Sequence, residues 1–529
     1  MTLVTARIPS GRDGSDEYLT APRPALPPAV FGPTDRMRGW IVTAVLTLLA
    51  AVTRFTMLGY PTDAGTPVFD EKHYAPQGYQ VLTGGGVEDN PAYGLVVHPP
   101  VGKQLIAVGE ALFGYTGWGW RLSSAVFGVV LVLLVVRIVR RMTRSTLLGA
   151  IAGILMIVDG VTFVTSRVGM LDIFMVVFVV AAFGALVRDR DDVRERLHRV
   201  AVEGRMEMTT WGPRLGVRWW RFGGGLLLGL ACGTKWSGIY FVAFFGLLSV
   251  AFDVAARRQY GVSRPWVGTA VRDVGPALYA LVAIPLVVYL ATYAGWFASE
   301  TGVDRNAVGT DVGTGGPFSF VPAALRSLWY YSGNVLDFHA GLTNSAGNRH
   351  PWESKPWTWP MGLRPMLYYF ADGQQITGCS TGGNCVKAVM LIGTPALWWV
   401  AFPMLGWALW STVARRDWRY AAVLVGYGAG ILPWFLTLDR QMYFFYAAAL
   451  APFLVMGVTL VLGDILGRGL RSGQDREGRG RERRTLGLLL VSLYVAVVIA
   501  NFVWLWPILT GLPISQETWQ QQLWLPSWR

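Results

Sequence analysis

Between Phe69 and Gly78 the sequence reads FDEKHYAPQG, which sets two adjacent carboxylates, Asp70 and Glu71, beside Lys72, His73 and Tyr74. A long apolar run ends shortly before them. So much ionisable chemistry at the rim of a hydrocarbon segment fits a wetted loop. It also fits a catalytic site reached from the membrane interface. Other chemistries find less support. The five His are widely scattered, so no metal cage is expected. No Gly-x-Ser-x-Gly elbow supplies a nucleophile. No G-x-x-x-x-G-K-[ST] loop supplies a nucleotide site, which argues against ATP-driven transport. What remains is a carboxylate base near a lipid phosphate. Such a site suits sugar transfer to a hydroxyl, because the hydroxyl needs a base. The phosphate leaves readily and needs cations more than a general acid, unlike the leaving group of a glycosidase.

Charged residues recur at the same depth. Arg121 opens the second apolar span on the side where Asp70 lies. Arg167 and Asp172 flank the turn SRVGMLD, Lys235 lies in GTKWSG, and Arg440 lies in LDRQMYFFY. Each alone reads as an interfacial side chain reaching for water. Together they form a rim of cations from four turns around a carboxylate pair, suited to an anionic lipid headgroup. Lys103 and Gln104 open a further segment, HPPVGKQLIAVGEALFG, whose two prolines suit a helix start. Its helical spacing of apolar residues predicts an amphipathic helix lying in the interface. Asp159 lies deeper, within a span, and is read as structural or site-supporting in equal measure.

The elements that must hold these residues follow from composition. Of 529 residues, 53% are hydrophobic and 15% charged, where a soluble domain carries about 25% charged residues. With 24 Trp, this describes a polytopic membrane protein with aromatic belts. Spans are predicted over 40–58, 122–140, 146–165, 170–187, 222–233, 236–254, 275–295, 389–411, 419–437, 441–462 and 486–508. With the N-terminus in the cytoplasm, 32 of the 46 Lys and Arg fall in the inner segments, which predicts the N-terminus inside and the C-terminus outside. The net charge of +13 is read as topology and not as nucleic-acid binding. Residues 1–38 read as a disordered cytoplasmic tail. Residues 39–300 read as a catalytic membrane module with a first external loop over 59–121. Residues 301–388 read as a second external loop, and 389–529 as a four-helix module. Cys379 and Cys385, in GCSTGGNC, suit a disulfide if that loop faces an oxidising compartment.

The chain resembles the protein O-mannosyltransferase family in its actinobacterial form. FDEKHYAPQ looks like the family's acidic pair, and HPPVGKQLIAVGEALFG followed by GWR looks like its first-loop helix and the arginine beyond it. SRVGMLD, GTKWSGIY, HPWESKPWTWP and RQMYFFYAAALAPF look like further family segments, so the resemblance runs from about residue 40 to 462. It implies an all-α polytopic fold of GT-C type. It implies a polyprenyl-phosphate-mannose donor and, as acceptors, Ser or Thr of secreted or membrane proteins, modified as they leave the export machinery. It also implies an inverting reaction at the external face of the cell membrane. It places the base on Asp70, with Glu71 as its neighbour, and suggests Arg121 as a site residue. Lys235 and Arg440 as phosphate contacts follow from depth and charge, with Lys103, Arg167 and Asp172 as further donor-side candidates. In the second loop, His350, Trp352, Ser354 and Lys355 are the acceptor-side candidates. That loop, at roughly 90 residues, has no room for the trefoil domains of the eukaryotic enzymes. No cofactor is required beyond the lipid-linked donor, with a divalent cation at the phosphate left open. Two other readings remain: a transferase of the same fold acting on a glycolipid or polysaccharide, and a secondary transporter. The transporter would place ionisable residues at the bilayer midplane and break helices in matched halves.

Overall fold

The computed structural model describes residues 32, 35–89, 95–208, 210–347, 349–373, 376, 384–467 and 479–529. Helices dominate. The first, α1 (Arg36–Phe55), leads into a loop that carries two helices, α2 (Glu71–Thr83) and α3 (Val101–Phe113). There follow α4 (Gly117–Thr143), α5 (Thr146–Ile157), α6 (Gly160–Thr165), α7 (Asp172–Val202), α8 (Trp219–Cys232), α9 (Gly238–Gln259) and α10 (Pro265–Thr292). A second loop carries α11 (Ala323–Gly341). The last quarter holds α12 (Pro395–Val413), α13 (Trp418–Ile431), α14 (Ala451–Ile465) and α15 (Arg479–Thr510). Each of the eleven predicted spans falls on one or two of these helices. Among the described residues, seven helices are long and apolar enough to cross a membrane: α1, α4, α9, α10, α12, α13 with its 3₁₀ continuation to Thr437, and α15 over 485–510.

Local chemistry sets the element ends. Thr116 caps α4 by accepting from Gly119 N at 3.2 Å, and Ser145 caps α5 by accepting from Leu148 N at 3.3 Å. Asp159 caps α6. It accepts from Thr162 N and Oγ1, both at 2.8 Å, and its other oxygen accepts from Trp398 Nε1 at 2.7 Å. This buried carboxylate is therefore satisfied where it stands, as structure.

The interfacial helix predicted after Pro100 is α3. It packs tightly on α4, because a Cβ on Gly109 would lie 2.2 Å from the Gly119 carbonyl oxygen.

Two features depart from the expected layout. The second loop and the C-terminus together form a small antiparallel sheet, β1 (Met366–Gly373), β2 (Cys385–Leu391) and β3 (Ile514–Ser515), in the order β1-β2-β3. Met366 pairs with Leu391, Gly373 with Cys385, and Val386 with Ile514. The boundary expected at 388/389 thus falls inside β2. Second, α7 runs on past the expected span end near 187, as far as Val202, and buries Asp189 and Asp191. Cys385 is disulfide-bonded. Cys379 and most of the expected tail over 1–38 lie outside the described residues.

Candidate active site

The site is built where the first loop turns into α2. Phe69 takes a left-handed backbone, φ +49°, which costs a bulky residue about 1–3 kcal/mol and persists only where packing enforces it. Its ring stacks on Tyr368 of β1, with centroids 4.3 Å apart and planes 12° apart. This corner separates the two carboxylates. Asp70 occupies the N-cap position of α2, yet its side chain makes no capping hydrogen bond and lines a cavity of about 1610 Å³. Glu71 is fully buried and points the other way. It accepts from Arg121 Nε at 2.6 Å, Arg121 Nη2 at 2.8 Å, Val68 N at 3.0 Å and Gly169 N at 2.6 Å.

The cavity joins both loops to α7, α9, α10 and α13. Asp70, Asp172, Lys235, His98, His339 and Arg440 are its main polar residues, set among Tyr74, Tyr443 and Tyr446. Lys235 reaches both oxygens of Asp172 at 2.9 Å and lies over the Phe445 ring at 5.2 Å. Burial pushes the Asp70 carboxyl up to about 6, with Lys235 pulling it down and Asp172 pushing it further up. A carboxyl raised this far can take up or release a proton near neutral pH. Its acidity is set by a desolvated wall and an ion pair beside it. Burial also depresses His98 well below the ordinary imidazole range, helped by the nearby Lys235.

The predicted residues divide between this cavity and its supports. Asp70, Asp172, Lys235 and Arg440 line it together. Arg121 is consumed by Glu71 and by the carbonyls of Leu58 at 3.1 Å and Pro61 at 2.8 Å. Arg167 donates to the carbonyls of Arg54 and Met57 and closes the end of α1. Lys103, fully buried, pairs with Glu88 at 2.5 Å and donates to the His98 carbonyl. These three cations hold the first loop in place, and none of them lines the cavity. Depth alone could not separate them from Lys235, because backbone carbonyls attract cations as a phosphate does.

The four second-loop candidates also stand outside the cavity wall. Ser354 is buried and accepts from Trp359 Nε1 at 2.9 Å, while its backbone N donates to Met442 O at 2.9 Å. Lys355 pairs with Glu353 at 2.5 Å and donates to the carbonyls of Leu438 and Arg440. Trp352 lies under Arg364 at 4.7 Å, and His350 meets Tyr443 edge-on at 5.3 Å. This segment clasps the strip that bears Arg440 and Tyr443. The residues sequence reasoning passed over are His73, His98, His339, Tyr443 and Tyr446, all in the cavity wall. His98 opens HPPVGKQLIAVGEALFG, where the helix start and Lys103 are legible but no pattern marks the histidine. Among the described residues, no group of three or more His, Cys, Asp or Glu is arranged to hold a metal ion.

A deep, largely apolar cavity with one uncapped carboxylate, in a polytopic helical frame, defines a membrane-embedded enzyme of GT-C architecture. The frame is similar to the Saccharomyces cerevisiae protein O-mannosyltransferase Pmt1-Pmt2 complex bound to the sugar donor, with a TM-score of 0.69 at 15% identity over 94% of this chain and 95% of that one. Residues 116–298 match the family described as dolichyl-phosphate-mannose-protein mannosyltransferase, and residues 324–528 match the C-terminal four TMM region of protein-O-mannosyltransferase. The chain is 66% identical to the polyprenol-phosphate-mannose–protein mannosyltransferase of Mycobacterium tuberculosis (strain CDC 1551 / Oshkosh) over 99% of its own length and all of the relative's. It is 44% identical to the Corynebacterium glutamicum protein of the same name, over 92% of this chain and 93% of that one. The chain belongs to the protein O-mannosyltransferase family.

Proposed function

We propose that the chain transfers mannose from a polyprenyl-phosphate-mannose donor to Ser or Thr hydroxyls of exported proteins, with inversion, at the outer face of the plasma membrane. The observation that carries this reading is the division of labour at 70 and 71. Glu71 is saturated by four donors, while Asp70 is uncapped and faces a cavity large enough for a lipid phosphate and a peptide together. The acceptor hydroxyl attacks the anomeric carbon from the side opposite the phosphate and gives its proton to the Asp70 carboxylate. The bond to the phosphate oxygen breaks, and its electron pair leaves with the phosphate. Attack and departure on opposite faces invert the centre in one step.

Lys235 and Arg440 balance the charge on the leaving phosphate. The wall over Ile239, Val282, Leu286 and Tyr289 suits the polyprenyl chain, since the first three are exposed apolar residues on helices long and apolar enough to cross a membrane. The second loop brings the acceptor from the other side, as a protein crossing the membrane would arrive. The sheet joins the second loop to the C-terminal segment, through the pairing of β2 with β3.

The test is transfer of labelled mannose from the lipid donor to a Ser/Thr peptide in membranes holding the chain. Transfer by the native chain, lost in Asp70→Asn with donor binding kept, is the expected result. Transfer to glycolipid alone would favour the polysaccharide-type reading, and donor movement without transfer would favour a transporter. No divalent cation is invoked. Loss of transfer in EDTA, restored by Mg²⁺, would replace side-chain neutralisation of the phosphate by a bridging cation.

A further inference from the structure

We propose that His339 is a positioning residue for the leaving-group end of the site: its imidazole holds the Arg440 guanidinium so that the Arg440 Nε–H meets the donor phosphate. The inference rests on the assignment of Arg440 to that phosphate. Arg440 lies on the strip that follows Thr437, fixed to the second loop by Asn344 N donating to Asp439 O at 2.8 Å and Gln441 N donating to Leu342 O at 3.0 Å. Its backbone is therefore set by the loop end of α11, the helix that bears His339.

The side chain is held from two directions. Trp434 lies against the guanidinium at 5.6 Å, and Arg440 Nη2 lies 3.2 Å from His339 Nδ1. An arginine has only N–H donors, so Nδ1 must offer a lone pair and the imidazole must be neutral, with its proton on Nε2. Its surroundings enforce that state. Burial first, and the positive Arg440 second, push His339 down to about 4. The His98 ring packs 5.8 Å from His339, and Tyr74 packs 5.9 Å from His98, so the imidazole stands in a wall and not in free water.

This arrangement leaves one group unused. Arg440 Nε is buried and has no hydrogen-bond partner among the described residues, although Arg440 lines the same cavity as Asp70 and Lys235. A buried charged N–H without a partner is unfavourable unless a ligand accepts from it. The phosphate end of the donor is an acceptor of matching charge, and guanidinium geometry suits it. With one Nη occupied by a neutral imidazole, the fork cannot turn away, and Nε–H stays available. A lysine at 440 would lack this fixed second donor.

A packing role alone would also put a ring at 339, so the test separates shape from lone pair. Donor KM, acceptor KM and kcat are measured for His339→Asn, which keeps an acceptor near the Nδ1 position, for His339→Phe, which keeps only the shape, for Arg440→Ala, and for the His339→Phe/Arg440→Ala double variant. The expected result is a donor KM raised roughly tenfold in His339→Phe, as for loss of one charge-assisted hydrogen bond, with acceptor KM and kcat little changed. His339→Asn should recover most of that loss. The double variant should be no worse than Arg440→Ala, because a residue acting only through another adds nothing once that one is gone. If Arg440→Ala uses donor normally, the phosphate assignment itself fails. If Arg440→Ala is impaired while His339→Phe is normal, or if the two losses add, Arg440 keeps its role and His339 is only packing. Thermal melting checks that each variant folds, and His339→Leu replaces the Phe variant if that one does not.

Discussion

Asp70 and Glu71 are neighbours in sequence but meet different surroundings, and their mutants should differ accordingly. Asp70 carries no capping bond, so Asp70→Asn should leave the fold intact and lower the transfer rate by about 10²–10⁴, read by single-turnover assay with purified protein. Glu71 is half of a fully buried pair with Arg121. Glu71→Ala should leave that guanidinium uncompensated and cost about 3–5 kcal/mol, seen as a lower melting temperature or lost expression. Catalytic loss in a normally folded Glu71→Ala protein would contradict this division. The pH profile follows from the same residues. The base must be ionised to work, so kcat/KM should rise with pH through a value near 6 and level off above it. Lys235 favours the charged Asp70 and Asp172 disfavours it, so Lys235→Met should move the acid limb to higher pH and Asp172→Asn to lower pH. Unmoved limbs would assign the titration to another group. The acidic pair was legible in the sequence because two carboxylates beside a span have few bland explanations. Its asymmetry was not, since it depends on a left-handed Phe69 and on Arg121, which lies 50 residues further along the chain.

The elements around the site lock through close backbone contact as much as through side chains. Gly109 on α3 lies so near the Gly119 carbonyl that a methyl group would stand 2.2 Å from its oxygen, and backbone cannot yield as a flexible side chain does. Gly109→Ala should therefore push α3 off α4 at a cost of about 1–3 kcal/mol, measured by thermal unfolding in detergent. Its kinetic effect should appear as a change in donor KM, because α3 follows the loop that carries His98. An unchanged melting temperature would show that the contact relaxes freely. Hydropathy located the long helices because crossing a bilayer demands long apolar runs. It missed β1 and β2 because aromatic-rich LYYF beside a Gly-rich loop reads equally as an interfacial belt, and because their third strand comes from residues 514–515, over a hundred positions away. It also ended α7 too early. Charges after Arg188 suggested a wet loop, whereas Asp189 and Asp191 are buried in ion pairs.

Those ion pairs gather at one end of the whole molecule. Arg218, just before α8, pairs with Asp189 on α7 and joins Asp253 on α9 at 2.8 Å; Arg257 on α9 joins Asp273 on α10 at 2.7 Å, and Arg144, just after α4, joins Asp191 on α7 at 2.9 Å. The cavity lies instead where the two loops placed outside by sequence meet α7, α9, α10 and α13, and the sheet joins the second loop to the C-terminal segment. These arginines are among the basic residues from which the sequence predicts that this end is cytoplasmic. Their pairing does not weaken that assignment, because orientation follows the Lys and Arg bias and not net charge. Orientation decides the mechanism, since a donor handed over at the outer face requires Asp70 to be there. Single cysteines at Thr83 and Ala346, exposed positions in the two loops, should react with an impermeant thiol reagent on intact cells. A cysteine at Gln259, exposed at the end of α9, should react only after lysis. All three belong in a Cys232→Ser background, because Cys232 is free and only partly buried. Labelling of Gln259→Cys on intact cells, with the two loop cysteines protected until lysis, would place Asp70 in the cytoplasm and remove transfer to exported proteins as the reaction.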